Sequence, residues 1–119
     1  MINKITTAKT VYLSTQAVDM RKSINGLTAI VQGAFQIDPY NECTLFVFSN
    51  KQHNKIKVLQ WDKDGFILYY KRREQGHFQW PSVVNELDGT VNITSKDLKR
   101  LLDGLVMEQF VPHVNYNIY

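Results

Sequence analysis

The chain has 119 residues, 44% hydrophobic and 21% charged, which suits one globular unit with a single core and excludes a disordered chain. No apolar run is long enough to cross a bilayer, and the opening Met-Ile-Asn-Lys-Ile-Thr-Thr lacks the apolar core of a secretion signal. A formal charge of +3 tilts weakly towards anionic partners, and the lone cysteine, Cys43, suits a reducing cytoplasm because it has no internal disulfide partner.

Taken in chain order, residues 9–13 are β-branched or aromatic at their centre and predict a first strand. Asp19 stands where a helix N-cap belongs. After it Met20, Ile24, Leu27, Val31 and Phe35 recur at helical spacing, which predicts a helix with one face in the core. Gly26 and Gly33 weaken that helix by about 1 kcal/mol each relative to alanine, so packing must supply its stability. Pro39 closes the region. Residues 44–49 are apolar through their middle, as expected of a strand covered on both faces. Residues 55–61 and 66–72 complete an antiparallel meander, and 77–80 predict a short strand that Pro81 stops. A strand over 90–93 follows. Thr94-Ser-Lys-Asp97 then resembles a capping box, opening a helix that carries Leu98, Leu101 and Leu102 and ends at Gly104. The tail, 105–119, shows no clear period. With no repeat or linker in sight, residues 1–119 read as a single domain. The fold class expected is α+β, an antiparallel β-meander of about four or five strands packed with two helices.

The run from Trp61 to Pro81 carries most of the functional information. Asp62-Lys63-Asp64-Gly65 suits a type I turn with Gly65 left-handed, giving a three-residue hairpin loop with a bulge. That loop pairs Asp62 with Phe66, Trp61 with Ile67, Leu59 with Tyr69, Lys57 with Lys71 and Lys55 with Arg73. One face then holds Trp61, Leu59, Ile67 and Tyr69 near the turn and Lys55, Lys57, Lys71 and Arg73 farther along. The other holds Ile56, Val58, Leu68 and Tyr70, the better core candidates. Like charges directly opposite on a sheet are unfavourable by up to about 1 kcal/mol per pair. A nucleic-acid phosphate chain would compensate them, with Trp61 and Tyr69 stacking on bases. Alternatively the long lysines splay into water and keep an exposed strand from aggregating, and on the residues alone this carries slightly more weight.

Other candidates are weaker. Asp19-Met-Arg-Lys22 places Arg21 and Lys22 in the first helical turn, the wrong end for the macrodipole. An anion grip explains that, and so does pairing of Arg21 with a carboxylate of the sheet. His53, His77 and His113 are widely spaced, and there is no metal-ligand spacing, Gly-rich phosphate loop or nucleophile elbow. Asp62 and Asp64 are placed to hold magnesium, although such residues far more often make the turn. No cofactor or metal is therefore expected. Catalysis is the minority reading, a metal-dependent nuclease built on Asp62 and Asp64.

These motifs resemble one family closely: the small accessory protein, usually called TnpB, from the second reading frame of bacterial insertion sequences of the insertion-sequence-66 type. The RNA-guided nucleases sharing that name are a different family. The matching text is Val11-Tyr-Leu13, Asp19-Met-Arg-Lys22 with Gly26-Leu27, Leu45-Phe-Val-Phe48, Asn50 and Lys55. It continues through Trp61-Asp62, Asp64-Gly-Phe66, Leu68-Tyr-Tyr-Lys-Arg72, Glu74, Gly76, Phe78 and Trp80-Pro81. The likeness covers about residues 9–104, including Leu101-Leu-Asp-Gly104.

The resemblance implies a cytoplasmic role in DNA transposition, beside a separate, larger transposase that carries the catalytic acidic triad. It supplies no catalytic residues. The family pattern emphasises Asp19, Arg21, Lys22, Lys55, Trp61, Asp62, Lys71 and Arg72. The leading expectation is a non-catalytic accessory protein binding DNA through Lys55, Lys57, Lys71, Arg72 and Arg73, with Arg21 and Lys22 as a second contact. Such phosphate contacts read little sequence. The alternative is a protein-interaction module that docks the transposase or another element-encoded accessory protein through Trp61, Tyr69 and Trp80. Neither expectation involves a membrane.

Overall fold

In the computed structural model, which describes residues 8, 10–81 and 89–105, the chain runs β1 (Thr10–Ser14), α1 (Ile24–Gly33), β2 (Thr44–Ser49), β3 (Lys55–Asp62), β4 (Gly65–Arg72), β5 (Thr90–Ile93) and α2 (Ser95–Leu102). The fold is α+β: one five-stranded sheet in the order β4-β3-β2-β1-β5, with a helix on each face. The meander β2-β3-β4 is antiparallel, as is the β1–β5 pair, but β1 and β2 run parallel. Parallel neighbours need a crossover, and α1 with its flanking loops provides it. No described helix is long and apolar enough to cross a membrane.

The central strand β2 is buried along its whole length. Phe46 and Phe48 point to the α1 side, where they meet Leu27, Val31, Phe35 and Leu59. Leu45 and Val47 point to the α2 side, into a cluster with Val11, Leu13, Ile56, Val58, Leu98 and Leu101. A strand covered on both faces reads as a continuous apolar run, which is why its bounds were visible in the sequence. Helix α2 starts at Thr94, whose hydroxyl oxygen accepts from the Asp97 N–H (3.0 Å). It ends in a Schellman motif: the Gly104 N–H donates to the Leu101 carbonyl and the Leu105 N–H to that of Arg100, with Gly104 at φ +80°.

Four expectations are corrected. Helix α1 begins at Ile24 with Ser23 as its N-cap, and Asp19 opens a separate turn before it. The Asp19 carboxylate accepts from the N–H two residues on, at Arg21 (2.9 Å), a local bond that competes with helix. Residues 77–80 form no strand. Instead the Phe78 N–H donates to the His53 carbonyl (2.7 Å) and its fully buried ring drops into the α2-side core. The first strand runs to Ser14, while Lys9 and the tail beyond Leu105 lie outside the described residues, as does His113.

The fourth correction is the hairpin register. Asp62 pairs with Gly65 across a two-residue loop, so Trp61 faces Phe66, Leu59 faces Leu68, Lys57 faces Tyr70 and Lys55 faces Arg72. Lys63 supplies the positive φ (+56°) that such a loop requires, and there is no bulge. This register lines up Leu59–Leu68 beneath α1, sets Trp61 opposite Phe66 and replaces the Lys57–Lys71 clash with a cation above the Tyr70 ring, 5.4 Å from its centroid. One residue of slip moves every side chain of β4 to the other face.

Candidate functional site

The turn before α1 and the β2–β3 loop lie side by side, tied by the Val18 N–H to the Ser49 carbonyl (2.9 Å). Asn50 organises the loop from within. Its buried Oδ1 accepts from the N–H groups of Asn54 and Lys55 (3.1 Å each), and its Nδ2 donates to Gln52 Oε1 and Asn54 Oδ1. An open groove of about 600 Å³ results. Residues 17–21 form one wall, residues 50–52 with Lys55 another, and Tyr70 of β4 also lines it. Its lining carries three cations, Arg21, Lys51 and Lys55, against one carboxylate, Asp19.

These cations are not equivalent. Arg21 grips Asp19 through Nε and Nη2, the shortest contact being 2.6 Å. The hydrogen bonds from the Arg21 side chain, and then from its backbone N–H, hold the Asp19 carboxyl down to about 2. Lys57 is structural: its Nζ donates to the carbonyls of Met20 and Lys22, both at 2.8 Å. Lys22 rises from the same turn over Gly26, where an added Cβ would sit 3.2 Å from its Cβ and Cγ. The Gly26-Leu27 motif thus leaves room for the stem of a cation. The ammonium groups of Lys22, Lys51 and Lys55 have no hydrogen-bond partner among the described residues. Arg72, opposite Lys55, pairs through Nε with Glu74 (2.8 Å).

The remaining sequence candidates sit elsewhere. Lys71 projects to the opposite face and donates to the Leu102 carbonyl at the end of α2 (2.6 Å). Arg73 donates to the Gln75 carbonyl, lies above the Phe78 ring and occupies the space in which a Cβ on Gly104 would stand. The expected basic face is therefore divided by the register: Lys55, Lys57 and Arg72 on the α1 side, Lys71 and Arg73 on the α2 side. Tyr69 donates its hydroxyl to Gln60 Oε1 (2.7 Å) and packs on the α2-side core. Trp80 stacks on His53 with ring centroids 5.4 Å apart and the planes nearly parallel. Burial pushes the His53 pKa below its ordinary 6.5, and the charge of His77 adds to that. Trp61 forms an edge-to-face cluster with Phe66 and the half-exposed Tyr40 near the hairpin end.

Several groove residues were not singled out from sequence, Lys51 and Tyr70 among them. Lys51 lies in a polar loop whose only signal was its turn-like composition, and Tyr70 read as core yet is 53% exposed. Among the described residues no three His, Cys, Asp or Glu side chains converge as a metal site would require. Asp62 and Asp64 share the hairpin turn, where the Asp64 N–H approaches the Asp62 carbonyl at 2.6 Å.

The family described as "IS66 Orf2 like protein" matches residues 9–112, past Gly104 and into the tail. A protein of Sinorhizobium fredii named "Uncharacterized protein y4jC" is 36% identical over 96 residues, covering 80% of this chain and 78% of the relative. A second from that organism, "Uncharacterized protein y4hO", is 33% identical over 95 residues, covering 80% and 79%. No solved structure matches.

Proposed function

The chain belongs to the IS66 Orf2-like family, and from that premise we propose that it is a non-catalytic accessory protein of transposition that binds element DNA through the groove beside α1. The observation that carries the reading is the set of ammonium groups with no hydrogen-bond partner among the described residues, Lys51 and Lys55 lining the groove with Lys22 in the adjoining turn. Fixed cations that release counterions from a phosphate chain supply most of non-specific DNA affinity. Arg21 and Arg72 add guanidinium groups on the same face, each held by a carboxylate. The protein acts in the cytoplasm beside the separate transposase.

The test is anisotropy of labelled DNA carrying the element's terminal repeat, with a scrambled duplex beside it, at low and moderate salt. Binding is expected to fall steeply with salt. The Lys51→Gln/Lys55→Gln variant is expected to bind more weakly, with a slope shallower by about 0.7–0.9 per lysine removed. Unchanged binding by that folded variant overturns the reading. Lys57 and Lys71 do not serve here, because their ammonium groups hold backbone carbonyls.

The Tyr40–Trp61–Phe66 cluster, with Tyr40 half-exposed and the other two part-buried, favours a second reading, docking of the transposase, since aromatic groups are the usual anchors of protein interfaces. Recovery of the transposase with this protein after nuclease treatment, lost on Trp61→Ala, supports it. No recovery counts against it.

A further inference from the structure

Resting on the DNA-binding reading above, we infer that the groove takes an unpaired DNA strand rather than the side of a duplex, with one base lying on Tyr70 and the neighbouring phosphates on Lys51 and Lys55.

Shape is the first argument. The groove is an open recess of about 600 Å³ between two walls, residues 17–21 on one side and residues 50–52 with Lys55 on the other. A duplex presents a convex phosphate ridge, whereas a single strand can turn one nucleotide inward.

Composition is the second. Tyr70 is among the few large apolar side chains more than half exposed among the described residues, and it lines the groove rather than standing apart on the surface. Lys57, held by the Met20 and Lys22 carbonyls, lies 5.4 Å from the centroid of its ring on one face, which leaves the opposite face of the phenol for a base. Val18 and Met20, which also line the groove, add apolar surface for the other face of a base. Gln52 receives its bond from Asn50 on Oε1, which leaves the amide N–H groups of its side chain for a base edge. An aromatic platform set among cations is the common arrangement for single strands and tolerates any sequence, because every base has a π face.

The experiment uses the full chain, with a labelled short oligothymidine and the same strand annealed to its complement, at low salt. The single strand is expected to bind the more tightly. Tyr70→Ala is expected to lower single-strand affinity about tenfold, a larger loss than for the duplex, and Tyr70→Phe to retain it. Lys51→Gln/Lys55→Gln weakens both. Equal affinity of the wild type for strand and duplex, or a Tyr70→Ala protein that still prefers the strand as before, overturns this inference and leaves DNA binding intact. An RNA strand of matching sequence bound more tightly than the DNA overturns the assignment to DNA. Binding of neither DNA by the wild type overturns the DNA-binding reading and this inference together.

Discussion

Lys57 donates its ammonium to the carbonyl oxygen of Lys22, 2.8 Å away, so one cation of the sheet fixes the turn that presents another. The same ammonium holds the Met20 carbonyl at 2.8 Å. Both acceptors belong to the turn before α1, whose Asp19 carbonyl already takes the Lys22 N–H (3.0 Å).

Replacing Lys57 by methionine keeps the stem and removes both bonds. Hydrogen bonds to charged groups contribute about 1.5–3 kcal/mol, and water replaces part of that here, so a loss near 2 kcal/mol is expected in urea denaturation. Hydrogen exchange at the Lys22 N–H should quicken in the variant. Unchanged exchange there would show that the turn stands without Lys57.

Asp19 and Arg21 make a prediction about acid. The carboxyl sits at about 2 against an ordinary 3.8, so its contribution is fully present above 3.8 and lost as pH falls towards 2. A carboxyl NMR titration should show a midpoint near 2 for Asp19, returning towards 3.8 in Arg21→Gln. At neutral pH, Asp19→Asn removes a negative charge from the groove and releases the guanidinium. DNA affinity should then rise severalfold, measured by the same anisotropy assay.

The hairpin makes opposite predictions at two neighbouring positions. Lys63 is left-handed, so Lys63→Gly should stabilise by about 0.5–1 kcal/mol once the added freedom of the unfolded chain is subtracted. Gly65 is ordinary strand with open space where a Cβ would go, so Gly65→Ala should change stability by less than about 0.5 kcal/mol. A bulged three-residue loop would reverse the pattern, and thermal unfolding of the two variants decides.

His53 predicts a second pH dependence, at a different place. Its pKa is lowered in the fold, by burial and then by His77, so the unfolded chain takes up the proton first as pH falls below 6.5. Stability should therefore decline as pH falls through 6.5. His53 also carries φ +55°, which asparagine tolerates, so His53→Asn should flatten that decline without straining the loop. A decline of equal size in the variant would assign it to other groups.

How legible was all this in the sequence? Strand β2 and helix α2 were plain, because Leu45–Phe48 is apolar throughout and Thr94 and Gly104 punctuate the helix at both ends. The register was not. Both faces of β3 are covered, so alternation of apolar residues does not distinguish one pairing from the next, and Asp-Lys-Asp-Gly fits either loop. Lys55, Arg21 and Lys22 were found as candidates, and the fold brings them to one face. Lys57 and Lys71 were found for their charge, yet each serves a backbone carbonyl that no sequence pattern announces. Tyr70 was hidden by its type: Leu68 packs beneath α1, while Tyr70, one step farther along the edge strand, is left uncovered.

The strand order has a consequence for the timing of assembly. Closing a chain loop costs more as its ends lie farther apart in sequence, so the meander β2-β3-β4 is expected to form ahead of the β1–β2 crossover and of the β1–β5 pairing. The meander alone contributes Lys55 and Tyr70 but only one side of the groove. The other side arrives when the strand before α1 crosses over and Val18 reaches Ser49. A chain caught before that step displays the lysines on a flat hairpin, and the recess between the two walls appears only with the completed topology.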